Sequence, residues 1–124
     1  MRRIALIGWL GLMAAAGSGG APLGAMGPMD EAQEWTALDG AEIAAALTGQ
    51  VLDYETAWQS FRASGRTLYH AGQDSWGYWQ VQGARYCSQW PPNALWSCYD
   101  VARRGPQIRF TGDFEDVSIG VLRR

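Results

Sequence analysis

Lysine is absent from this chain of 124 residues, histidine occurs once, as His70, and cysteine twice, as Cys87 and Cys98. Without an amine side chain there is no Schiff-base nucleophile and no P-loop to cradle phosphates. With a single histidine and no Cys-x-x-Cys spacing, a four-ligand metal site would have to draw on distant carboxylates, so neither a metal nor a cofactor is expected. No serine sits in a Gly-x-Ser-x-Gly elbow, and no segment reads as a helix between two parallel strands. After the N-terminal segment, no apolar run approaches the roughly 20 residues that span a bilayer.

The N-terminus has the three-part layout of a secretory leader. Met1-Arg2-Arg3 supplies positive charge, Ile4 to Ala16 is apolar, and Gly17 to Ala21 are small residues suited to cleavage. The apolar run is short for a membrane anchor, and the segment holds no cysteine to carry a lipid, so no stable membrane anchor is expected once the leader is cut. The cut is expected between Ala21 and Met26, which gives a leader over 1–24, a flexible lead-in over 25–38 and a single β-rich domain over 39–124. The mature chain would carry eight arginines (ten less Arg2 and Arg3) against twelve acids, a net charge of −4. That balance repels phosphate backbones and argues against nucleic acid as a partner.

One helix is expected at about residues 40–48. Asp39 can cap its amides while Glu42 reaches back, and Gly49 suits the left-handed residue that ends it. From Gln50 onward, runs rich in Val, Ile, Thr, Tyr, Phe and Trp are broken every eight to twelve residues by glycine, proline or Asn/Asp. The strands read as 50–54, 57–63, 66–71, 75–82, 84–90, 95–102, 107–111 and 116–122. The fold class is therefore mainly β, a six- to eight-stranded antiparallel meander or small partly closed barrel.

The segment Tyr86 to Asp100 is the best-defined local feature. Pro91-Pro92 mark a turn, since neither proline can donate to a ladder. A turn centred between Pro92 and Asn93 sets Cys87 opposite Cys98, Arg85 opposite Asp100 and Tyr86 opposite Tyr99. Directly opposed cysteines lie close enough for a disulfide, the expected use of two cysteines in an exported chain. Alternation then puts Arg85, Cys87, Gln89, Trp96, Cys98 and Asp100 on one face, and Tyr86, Ser88, Trp90, Leu95, Tyr99 and Val101 on the core side.

Candidate sites are few. His70 has Asp74 four residues on, the neighbour a general base would need, with Thr67, Tyr69 and Ser75 as the nearby hydroxyls. The carboxylates Asp113, Glu115 and Asp116 lack calcium-loop spacing and read as a solvated turn. Among the aromatics, Trp76, Tyr78, Trp79, Trp90 and Trp96 are candidates for a stacking platform, Trp96 foremost by its face, although large rings are also the usual filling of a small sheet. These features fit a non-enzymatic module that binds a partner protein, an envelope glycan or a small ligand. The alternatives are a small hydrolase using His70, or a protease or lysozyme inhibitor that presents the loop from Trp90 to Trp96.

Two stretches carry a family likeness. They are Leu38-Asp39-Gly40-Ala41-Glu42-Ile43 with Ala46-Leu47-Thr48-Gly49, and Trp79-Gln80-Val81-x-Gly83-x-x-Tyr86-Cys87-Ser88-x-Trp90 with Cys98-Tyr99-Asp100-Val101. Over roughly residues 38–122 the chain resembles small exported α-proteobacterial proteins known only as domains of unknown function. That resemblance implies a periplasmic or secreted setting and a bridged hairpin, and it brings no activity. Some short exported proteins of similar look carry the label dihydrodipicolinate reductase. That chemistry needs a Gly-x-Gly-x-x-Gly turn and a His/Lys site, and the chain has neither.

Overall fold

Residue types along the chain set the element boundaries. The computed structural model describes residues 34–124, so the leader over 1–24 and most of the lead-in lie outside the described residues. In chain order the elements are β1 (Thr36–Ala37), α1 (Gly40–Leu47), β2 (Gln50–Asp53), β3 (Trp58–Phe61), β4 (Arg66–His70), β5 (Asp74–Gln82), β6 (Arg85–Gln89), β7 (Trp96–Arg104), β8 (Gln107–Thr111) and β9 (Val117–Leu122). Each of the eight expected strands is present, with ends that agree to within two residues.

The capping box forms as its residue types dictate. The Glu42 amide donates to Asp39 Oδ1 at 2.8 Å, and the Asp39 amide donates to Glu42 Oε1 at 2.9 Å. Gly49, at φ 76°, turns the chain out of the helix and into β2. Ile43, Ala46 and Leu47 are the helix residues that are buried. Gly40 allows the docking, because a Cβ there would collide with the Gly83 carbonyl oxygen in the β5–β6 turn.

Strands β2 to β9 pair antiparallel in sequence order, and β9 returns to β2 through Val121↔Asp53 and Leu122↔Leu52. Arg123 N–H donates to the Val51 carbonyl at 2.8 Å along the same seam. The result is a closed eight-stranded up-and-down barrel, rather than a partly closed one. Closure removes the exposed edges that an open meander would present. Strand β1 adds to β7 through Thr36↔Arg103 and Ala37↔Ala102, beyond the stretch of β7 paired to β6, so the expected lead-in ends in a paired strand. Just ahead of it, the Trp35 ring lies under the guanidiniums of Arg104 and Arg109, 4.4 and 4.7 Å from its centroid.

The β6–β7 register is the expected one, with Arg85↔Asp100, Tyr86↔Tyr99 and Cys87↔Cys98, and the two cysteines form a disulfide with Cα atoms 4.0 Å apart. By alternation the bridge takes the face opposite Tyr86, Ser88 and Val101, which are buried inside, and Cys87 is itself fully buried. Leu95 is the exception to the expected face assignment. It belongs to the loop rather than the strand and is 74% exposed, its amide held by Asn93 Oδ1 at 2.9 Å. Arg85 also reaches beyond the hairpin, donating to Asp100 Oδ1 at 3.1 Å and to Asp113 Oδ1 at 2.9 Å. Among the described residues no helix is long and apolar enough to cross a membrane.

Candidate functional site: an aromatic cup in the barrel mouth

The two ends of the barrel differ. Helix α1 and the turns at Arg62–Gly65, Gly83 and Gly105 lie at one end, where Ile43, Leu47, Leu52 and Ile108 are fully buried. The loops 54–57, 71–73, 90–95 and 112–116 lie at the other, and there the barrel holds a cavity of about 760 Å³. An eight-stranded barrel has room for one small ligand when side chains do not fill it. Four of the chain's five tyrosines, Tyr54, Tyr69, Tyr86 and Tyr99, line this cup together with Trp90 and Phe110. Glycine at position 77 makes room for one wall. A Cβ there would come within 2.6 Å of both the Trp90 ring and the Gln89 carbonyl oxygen.

Three buried polar side chains, Gln59, Thr67 and Ser88, occupy inward strand positions beside the cup. Each is partnered, as burial requires. Tyr54 Oη donates to Gln59 Oε1 at 3.3 Å, and Gln59 Nε2 donates to Thr67 Oγ1 at 2.9 Å and to Tyr86 Oη at 3.1 Å. Thr67 Oγ1 in turn donates to the Ser60 carbonyl at 2.7 Å, and Trp90 Nε1 donates to Ser88 Oγ at 3.1 Å. The floor is thus a closed network, and the walls offer ring surfaces.

Burial favours the neutral form of Tyr54, Tyr86 and Tyr99. Loss of water pushes Tyr86 up to about 12, an effect that hydrogen bonds with Ser88 and Gln59 partly oppose. Tyr54 is raised further by burial, with smaller contributions from Tyr86, Tyr69 and Tyr99. Tyr99 is raised by burial first and then by the Asp116 carboxylate.

A phenol raised in the folded state contributes stability that is complete below its unfolded pKa of about 10 and is lost as pH climbs through the folded value. For Tyr86, raised from 10.0 to about 12, the loss at strongly alkaline pH is about 3 kcal/mol. We therefore expect the phenolate absorbance of Tyr54, Tyr86 and Tyr99 to develop together with the loss of barrel circular dichroism. Ionisation of all five tyrosines near pH 10 in a barrel that stays folded would contradict a desolvated floor.

The rim carries Glu55 and Asp116, both exposed and both bordering the cavity. Phe114, which is 94% exposed, and Leu95 project from the loops around it. Asp113, Glu115 and Asp116 form the expected turn, with Glu115 at φ 64° and the Gly112 amide donating to the Asp116 carbonyl at 2.8 Å.

The structure distributes the sequence-derived candidates over both faces of the wall. His70 Nδ1 and Asp74 Oδ1 are 2.8 Å apart, and the imidazole stacks on Trp58 with centroids 5.4 Å apart. Thr67, Tyr69 and Ser75 alternate to the inner face, away from that imidazole. Trp90 turns into the cup, on the inner side that alternation assigns it, whereas Trp96 faces out and is 38% exposed. Trp76 borders the cavity from an outward strand position, and Arg62 and Arg66 lie over its ring at 5.1 and 4.5 Å. Trp79 is core, its Nε1 donating to the Arg62 carbonyl at 2.9 Å.

Sequence reasoning did not assemble Tyr54, Gln59, Tyr69, Tyr99 and Phe110 into a site. A signal existed in Gln59, Thr67 and Ser88, polar residues at inward positions of β3, β4 and β6, which a filled apolar core would not tolerate. Comparison with known proteins finds no matching family model, no similar curated protein and no similar solved structure.

Proposed function

We propose that this protein is an exported, non-enzymatic binding domain that takes a small ligand into the open end of its barrel. The observation that carries the reading is the cup itself. It is blind at the plugged end, open at the loops, walled by aromatic rings and floored by polar groups that are already paired. Sites of this size with an aromatic lining and a few placed polar groups are the usual form of small-molecule recognition. Export is supported by the leader-like N-terminus and by a disulfide, which persists in oxidising compartments. The hydrolase alternative draws support from the His70–Asp74 hydrogen bond, yet that pair lies on the outer wall and the neighbouring hydroxyls on the inner one.

The reading is tested with N-phenyl-1-naphthylamine, an uncharged dye that brightens when water is excluded from it. The mature domain should bind it saturably at one site. Ser118 borders the cavity and pairs with inward-facing Phe110, so Ser118→Trp places an indole in the space a ligand would take. That variant should keep its circular dichroism and weaken the dye about tenfold or more, the loss expected when a shaped apolar site is filled. Absence of saturable binding, or equal binding by the filled variant, would sink the cup as a ligand site.

A further inference from the structure

We infer that the ligand of the cup is an organic cation, an ammonium or quaternary ammonium centre on a compact organic body. The inference rests on the binding reading above and adds the ligand's charge. The charge inventory is one-sided. Glu55 and Asp116 border the cavity, and among the described residues no arginine or histidine does so. Of the eight arginines among the described residues none lines this concavity, and Arg62 and Arg66 come near it only through the Trp76 ring they cover. An anionic ligand would lie beside two carboxylates with no cationic side chain in the lining to offset them.

The walls select further. The buried aliphatic side chains Ile43, Leu47, Leu52, Val101 and Ile108 all lie outside the lining, while Tyr54, Tyr69, Tyr86, Trp90, Tyr99 and Phe110 lie within it. A cup for an acyl chain has no need of that segregation. Ring faces carry the negative side of an aromatic quadrupole, and several of them around one cation are the recurring solution for ammonium recognition.

A polyhydroxylated ligand such as a sugar would need donors and acceptors at the floor to replace its water there. Gln59 and Thr67 already spend theirs on each other, on Tyr54 and Tyr86 and on the Ser60 carbonyl. What the cup presents is chiefly π surface and, at the mouth, carboxylate, with the hydroxyls of Thr56, Tyr69, Ser75, Tyr99 and Ser118 around it.

The test uses 4-hydroxyphenyltrimethylammonium and its uncharged carbon isostere 4-tert-butylphenol, titrated calorimetrically at low ionic strength and at a pH where both phenols are protonated. The cation should bind about tenfold more tightly or better, the preference expected of a desolvated aromatic site assisted by carboxylates. The double variant Glu55→Gln/Asp116→Asn should weaken the cation about tenfold. Asp74→Asn/Asp100→Asn removes the same number of charges from the outer wall and should leave its affinity unchanged, which separates a local effect from net charge.

Equal or tighter binding of tert-butylphenol would overturn the cation assignment and leave the cup standing. The assignment would fall equally if naphthylamine binds and the cation does not, or if the double variant holds the cation as well as the parent. Failure of both naphthylamine and the cation would instead remove the cup reading itself.

Discussion

Replacing both Cys87 and Cys98 with alanine is expected to lower stability by about 3 kcal/mol, the entropy released when a loop of about a dozen residues is no longer closed in the unfolded chain. In a domain of this size that corresponds to a fall in Tm on the order of 15 °C. The barrel should still form. Its β6–β7 register is set independently by the packing of Tyr86 against Tyr99, with centroids 6.0 Å apart, and by Arg85, which holds Asp100 and also donates to the Cys98 carbonyl at 3.1 Å. The consequence for binding is indirect, because the loop that the bridge closes carries Trp90 onto the cup wall. Thermal unfolding followed by circular dichroism, with naphthylamine affinity measured on the same samples, checks both parts. A Tm shift of only about 2 °C would mean that the ladder alone holds the hairpin, and that the bridge contributes far less than chain entropy predicts.

That hairpin also shows what a single sequence can reveal. The positions of Cys87 and Cys98 about Pro91-Pro92 admit one register that also opposes Arg85 to Asp100, and the period of two then assigns faces with no further information. Asp39 and Glu42 announce the helix start for an equally local reason, since the capping bonds span three residues. Closure is different. Leu122↔Leu52 and Val121↔Asp53 join segments about 70 residues apart, and neither end carries a residue type that marks a seam. The Asp53–Arg123 ion pair across it, with Arg123 over Trp58 at 5.6 Å, becomes visible only once the strands are brought together.

The cup was hidden in the same way. Its lining takes alternate residues from separate strands, so no contiguous motif encodes it. Leu95 marks the limit of the alternation rule, which ends where the ladder ends.

Truncating Phe61 to alanine should cost about 3–5 kcal/mol, the range for removing a buried aromatic ring from a packed interior. Phe61 is fully buried and meets Trp79 and Tyr86 edge-on, at centroid distances of 5.7 and 5.8 Å and interplanar angles of 81° and 82°. Those contacts join the plugged half of the barrel to the cup, because Tyr86 is both core and lining and accepts the hydrogen bond from Gln59. Loss of the ring therefore does two things. It removes dispersion and apolar burial beneath the floor, and it frees Tyr86 to tilt away from Gln59, which loosens a network whose members are otherwise fully paired. Phe61→Leu restores much of the volume but not the edge-to-face geometry, so it should recover most of the stability and less of the binding. Chemical denaturation of both variants, read beside their naphthylamine affinities, separates the two effects. If Phe61→Ala costs less than about 1.5 kcal/mol, the interior is collapsing around the void and the floor is not held from below as the packing implies.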